Sequence, residues 1–216
     1  MSKKFVKAWE KQEGKGVPTR IKETIRPPGP IKPRVDKAVR ALEMQLQRLD
    51  QIGNRLGERD KAIFGKVVGS ISKHDTAHAT VFANELAEIR KMSKMILQSR
   101  LALEQVVLRL RTVQELGDVV VSLAPALSVI QGIRTGIAGV LPEAEAELTN
   151  IGTMLNSMLF EAGQSSGMTL DFGSANEDAQ KILSEAAAVA EQQMKSRFPE
   201  LPAAAGLAES QATERQ

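Results

Sequence analysis

From Arg34 onward the chain repeats apolar residues at steps of three, four and seven: Val35, Val39, Leu42, Leu46, Leu49, Leu56, Ile63 and Val67. That spacing lines one edge of a helix with hydrocarbon. At ~1.5 Å per residue it predicts a rod roughly 50 Å long. Gly53 and Asp60 interrupt the stripe, and the segment GSISKHDT ends it, with Ser72 or Asp75 as the N-cap of whatever follows. A second stripe then runs through Phe82, Leu86, Ile89, Ile96, Leu103, Val107 and Leu110. Two long helices joined by a short turn fold back as an antiparallel hairpin.

Beyond the hairpin, Gly117 and Pro125 punctuate the apolar stretch VVVSLAPALSVIQGIRTGIAGVL. A shorter helix is expected from near Pro142, with Glu143, Glu145 and Glu147 in its first turns, where the helix dipole favours anions. GQSSGMTLDFGSAN reads as a flexible loop. A last helix follows, from about Glu177 to Phe198, and is stopped by Pro199. The expected class is all-α: a long antiparallel hairpin with shorter helices packed on it.

The two ends differ from this middle. In the opening MSKKFVKAWEKQ, Phe5, Val6 and Trp9 fall on one arc of a helix, and Lys3, Lys4, Lys7 and Lys11 on the opposite arc. The proline-rich stretch after it reads as a stiff basic linker. The tail after Leu201 is Ala-rich and polar, the composition of a disordered segment. The expected organisation is therefore an amphipathic helix and linker over 1–33, a helical core over 34–163, and a regulatory helix, recognition segment and tail over 164–216.

Composition sharpens this picture in two ways. Aromatic residues make up 3% of the chain and tyrosine is absent, which suits helices packed through aliphatic side chains rather than a β-rich core. Cysteine is also absent, so thiolate metal sites, disulfides and a cysteine nucleophile are excluded. The net charge of +3 conceals a division. Residues 1–100 carry 22 Lys and Arg against 11 Asp and Glu, whereas residues 101–216 carry 7 against 15. A chain polarised in this way can lay its basic half on an anionic surface, or fold its acidic half back over the basic one.

Catalytic chemistry finds no foothold. His74 and His78 have a zinc-helix spacing but no third ligand in view, so capping and solvated roles are expected of them. Gly163-Gln-Ser-Ser-Gly167 matches a nucleophile elbow by letters, yet no histidine follows Ser165. The 119–141 stretch is long enough to span a bilayer, but Pro125, Gln131, Arg134 and three glycines interrupt it, so a helix packed on the hairpin is expected. There, Gly132 and Gly136 would let two helices approach closely. No enzyme activity and no cofactor, metal or small-molecule substrate is expected.

Binding features are more plentiful. Lys37, Arg48, Arg55, Arg59 and Lys66 are spaced 11, 7, 4 and 7 apart and share a narrow arc beside the apolar stripe. Such a ridge is either a solvated face or a contact for an anionic lipid surface, each cation adding ~1 kcal/mol near an acidic leaflet. Lys3, Lys4, Phe5, Val6, Lys7 and Trp9 would supply the buried apolar part of the same contact. Toward the other end, Met194, Phe198 and Leu201 share a helical face with Arg197 beside them, and the overlapping Phe198-Pro199-Glu200-Leu201-Pro202 has the form of an extended recognition segment.

Taken together, the polarised chain, the basic hairpin over residues 32–120 (KPRVDKAVRALEM through VQELGDVV) and the acidic end with its terminal peptide resemble the ESCRT-III family, most closely its archaeal cell-division branch, CdvB. The resemblance extends to about Gly163. It implies filaments that coat and constrict the cytoplasmic face of the cell membrane at the division site, copolymerising with related subunits. It also implies disassembly by an AAA ATPase, CdvC in archaea, whose MIT domain grips the terminal segment. On that comparison Met194, Arg197, Phe198 and Leu201 match the helical form of the MIT-interacting motif, and Phe198, Pro199, Leu201 and Pro202 the proline-containing form. Some members carry a C-terminal winged-helix segment, and the residues after Gly163 are too few and too helical for it, as expected of a shorter paralogue. Two other readings stay open at this point: a basic helical protein attracted to nucleic acid, although base-stacking aromatics are sparse, and a plain coiled-coil adaptor. The expected partners exclude nucleic acid.

Overall fold

The computed structural model describes residues 30–112, 116–166 and 172–200. Within them every regular element is an α-helix: α1 (Ile31–Ser72), α2 (Thr76–Arg111), α3 (Leu116–Ile137), α4 (Pro142–Ser166) and α5 (Phe172–Arg197). The first two form the predicted hairpin. α3 and α4 make a second, shorter antiparallel pair laid against its open end, α3 on α2 and α4 on α1, while α5 lies along α2 and α3.

The helix α1 begins three residues before the predicted start. Pro30 is its N-cap and Pro33 sits in its first turn, where the backbone N–H groups have no intrahelical acceptor to lose. With 42 residues it runs about 60 Å, past Gly53 and Asp60 without a break. The stripe works as predicted: Val35, Val39, Leu42, Leu49, Ile63 and Val67 are buried, opposite Leu86, Ile89, Ile96, Leu103, Val107 and Leu110 of α2.

The turn between them is built twice over. The amide of His74 donates to the carbonyl of Ile71 and that of Asp75 to Ser70, the paired hydrogen bonds that close a helix C-terminus when the residue after its cap is left-handed. That residue is His74, at φ 57°. Asp75, one of the two predicted caps, then opens α2 by accepting from the backbone N–H of His78. A left-handed L-residue costs ~1–2 kcal/mol, and glycine there returns part of that to unfolded-chain entropy. His74→Gly is therefore expected to stabilise the protein by about 0.5–1 kcal/mol, read as a higher urea midpoint with an unchanged m-value.

Three further expectations about where helices break or end are not met. Pro125 lies inside α3, not at a break. It is buried among Leu123, Ala124 and Ala126, and burial of this nearly all-apolar helix outweighs the ~3 kcal/mol cost of an internal proline. α4 runs on through Gly163 to Ser166, and α5 starts at Phe172, so the intervening loop is shorter than its Gly- and Ser-rich composition predicted. Gly132 does allow close approach, since a Cβ there would stand 3.0 Å from Cδ1 of Leu183, whereas one on Gly136 would meet nothing within 4 Å.

The core falls into two parts. The larger unites all five helices around Leu42, Leu49, Leu103, Ile130, Leu148 and Leu155. The smaller belongs to the hairpin tip alone, with Ile63, Val67, Ala83, Leu86 and Ile89 buried and Phe64, Ile71, Phe82 and Met92 packed around them.

Candidate functional site

The acidic half of the chain lies on the basic half. Arg34 of α1 donates to the carboxylate of Glu161 of α4 and, at 3.2 Å, to Ser157 Oγ. Arg48 stands 3.5 Å from Glu143 near the other end of α4. On the opposite side α5 brings Asp178 to 3.4 Å from Arg109 and Glu191 to 3.7 Å from Lys94. Glu191 has its carboxyl held below the usual carboxylate range, first by a hydrogen bond from Lys195 and then by the charge of Lys94. These pairs are solvent-exposed for the most part, so each is worth at most ~1 kcal/mol. They orient the later helices more than they bind them.

The predicted cationic ridge is present on α1. Lys37, Arg48, Arg55, Arg59 and Lys66 are all exposed and project from one side of the rod. Two of them are occupied by the chain itself, Arg48 by Glu143 and Arg59 by Glu85 at 2.7 Å, and the ammonium of Lys66 lies 5.5 Å from the ring centroid of Phe82. Of the remaining lipid candidates, Lys3, Lys4, Phe5, Val6, Lys7 and Trp9 lie outside the described residues. No helix among the described residues is long and apolar enough to cross a membrane.

The C-terminal candidates are brought together only in part. Met194 and Arg197 occupy the last turns of α5, the helix ends at Arg197, and Phe198 and Pro199 continue beyond it. Leu201 and Pro202 lie outside the described residues. The four described residues share the wall of a groove of about 540 Å³ against the hairpin, facing Gly53, Gly57, Phe64 and Ile96. Met194 and Phe198 are half-buried against the chain's own α1 and α2, while Arg197 and Pro199 stay exposed.

At the edge of this groove sits a cluster that sequence reading noticed only as an interruption. Asp60 occupies a stripe position of α1, with a side chain only 3% exposed, and accepts a 2.8 Å hydrogen bond from Nε of Arg90 on α2. The Arg90 guanidinium lies over two rings, 5.8 Å from the centroid of Phe64 and 5.5 Å from that of Phe198. A charge on a heptad stripe was the available signal. The partner could also have been found, because a turn at 73–75 places residue 60 opposite about residue 90.

The histidines take the capping role expected of them. The ring Nδ1 of His78 lies 2.7 Å from Oδ2 of Asp75. The carboxyl of Asp75 is held below its ordinary value, chiefly by the backbone N–H of His78 and then by its side chain.

The chain is 42% identical over 204 residues to Cell division protein B1 of Sulfolobus acidocaldarius, covering 94% of this chain and 92% of that protein. It belongs to the archaeal CdvB branch of the ESCRT-III family. It is also 38% identical over 175 residues to Cell division protein B of the same organism, covering 79% of this chain and 67% of that protein. No protein-family profile matches the chain, and no solved structure does. The CdvB match spans the hairpin, both shorter helices and most of the remaining chain, and the all-helical ESCRT-III-like fold agrees with it.

Proposed function

We propose that this CdvB-type protein is a polymerising membrane-remodelling subunit of the archaeal cell-division machinery. The observation that carries the reading is the near full-length match to Cell division protein B1. In this reading the protein works mechanically, without catalysis of its own. It assembles with itself and with related subunits on the inner face of the cell membrane at the division site, and it constricts that membrane.

The arrangement of charge suggests how such a subunit is kept in reserve. With α3, α4 and α5 laid against the hairpin, Arg48 of the cationic ridge is neutralised by Glu143, and α2 is covered by α5. Opening frees Arg48 of the ridge and the apolar faces for neighbours. Lys37, Arg48, Arg55, Arg59 and Lys66 then lie toward anionic headgroups, while Phe5, Val6 and Trp9 bury at the acyl boundary and Lys3, Lys4 and Lys7 hold the surface. Affinity per subunit is modest, and polymerisation multiplies it by making each further contact intramolecular.

An AAA ATPase of the CdvC type disassembles the polymer in this reading, gripping Met194, Arg197, Phe198, Pro199, Leu201 and Pro202 through its MIT domain. Four of these residues face the groove on the hairpin, so the grip requires the segment to leave it.

The lipid contact is tested by co-sedimentation with anionic liposomes. Trp9→Glu is expected to weaken binding about ten-fold or more, because it removes the largest apolar side chain of the anchor and adds a like charge to the lipid. Unchanged co-sedimentation would remove the anchor. Filter binding to DNA and RNA at the same salt, if tighter than binding to liposomes, would favour nucleic acid as the anionic partner instead.

A further inference from the structure

The hairpin tip has little to hold it. Its buried residues, Ile63, Val67, Ala83, Leu86 and Ile89, form a cluster of their own that contains no side chain from α3, α4 or α5. The α1 half of the tip also carries glycines at 57, 65 and 69, where an added Cβ would meet nothing within 4 Å. Packing therefore does not demand glycine at these positions, and each lowers helix stability relative to alanine. Few buried contacts and weak local helix propensity are the marks of a segment that opens before the rest of a protein.

Between tip and main core lies the Asp60–Arg90 pair. Of the Arg90 guanidinium, Nε is used by Asp60, while Nη2 is buried with no protein acceptor. On its faces the cation is also stabilised by the rings of Phe64 and Phe198. Phe64 belongs to α1 and is always present. Phe198 belongs to the segment beyond α5, some hundred residues further along the chain, and is the one removable partner of the cluster.

We propose that Phe198 is a detachable clasp on Arg90, through which the position of the C-terminal segment sets the stiffness of the hairpin tip. With the ring in place, Arg90 is held against Asp60 and the tip behaves as an extension of the main core. When the ring leaves, the pair stays buried but loses one of its supports, and residues 61–89 open more often. Anything that draws the segment away, whatever its identity, then softens residues 61–89, more than a hundred residues earlier in the chain. This goes beyond the assembly reading and holds or fails in the monomer.

Hydrogen exchange read by mass spectrometry on the full chain in solution, without lipid, tests it. Phe198→Ala is expected to speed exchange of the slow amides in residues 61–89 about five-fold, the factor that one partly buried cation–π contact represents. Amides of 35–49, 100–110 and 175–190 should stay unchanged, showing that α5 remains docked. Phe198→Trp keeps an aromatic face and should keep the protection, whereas Phe198→Leu keeps apolar bulk and should lose it. In an Asp60→Leu/Arg90→Met background, Phe198→Ala should have no tip-specific effect. No change at the tip, equal acceleration of both core clusters, or a tip effect that persists without Arg90 would each overturn the proposal.

Discussion

Arg90→Met is expected to destabilise the hairpin by about 3–5 kcal/mol, the range for removing one partner of a buried ion pair. The side chain of Asp60 is 3% exposed and that of Arg90 20%, so the carboxylate left behind has no solvent to turn to. The pair also sits on the seam of a two-helix rod, where either helix would have to deform to hydrate it. Most of the cost falls on the tip, because its apolar cluster contains only α1 and α2. Urea unfolding followed by far-UV circular dichroism should therefore show an early loss of helix ahead of the main transition. The double substitution Asp60→Leu/Arg90→Met should recover most of the loss, since apolar replacement of a whole buried pair is often neutral or better. A single unshifted transition for Arg90→Met would mean that the pair is hydrated and structurally idle.

Cutting the chain after Ser166, where α4 ends, is expected to promote self-assembly. α5 is only weakly attached. Its buried edge is Ala175, Ala179, Ile182, Ala186 and Ala190, four alanines and one large residue, so it buries little hydrocarbon for its length. Its ion pairs to Arg109 and Lys94 lie at the surface. A docking free energy of about 2–3 kcal/mol leaves roughly 1% of molecules open, and removing the clasp raises the competent population about a hundred-fold. The concentration at which polymers appear in sedimentation velocity should fall accordingly. Gly132→Phe should act in the same direction without shortening the chain, because even a Cβ there would press on Leu183. A truncated protein that stays as monomeric as the intact one would show that α5 restrains nothing.

Much of the hairpin was legible because its signal is periodic. Val35 through Val67 and Phe82 through Leu110 obey a helical repeat that no other element could use, and Asp75 is a strong cap signal in a break between them. Local residue preferences did worse. Pro125 and the Gly163–Asn176 stretch were read as breaks, yet α3 passes through the proline and α4 and α5 extend into the stretch from both sides, because packing overrides propensity when the neighbouring helices supply enough apolar surface.

The sites were legible in a different sense. The cationic ridge could be counted out along α1, since helix geometry fixes which residues share a face. That Arg48 and Arg59 are met by Glu143 and Glu85 depends on tertiary contacts that spacing does not encode. Met194 and Phe198 were placed on one helical face by spacing, and that the face lies along a groove on the hairpin is a tertiary contact spacing does not encode. Arg90 carried no pattern of its own. It becomes visible only when Asp60 is treated as a charge in search of a partner across the turn.

In the proposed function a basic hairpin meets lipid and joins its neighbours once the acidic half has swung away. Electron microscopy of the intact and truncated proteins, each mixed with acidic and with neutral vesicles, tests this most directly. Filaments or tubes coating the acidic vesicles, sparse for the intact protein and dense for the truncated one, are the predicted result. Bare vesicles and dispersed particles in all four mixtures would contradict it.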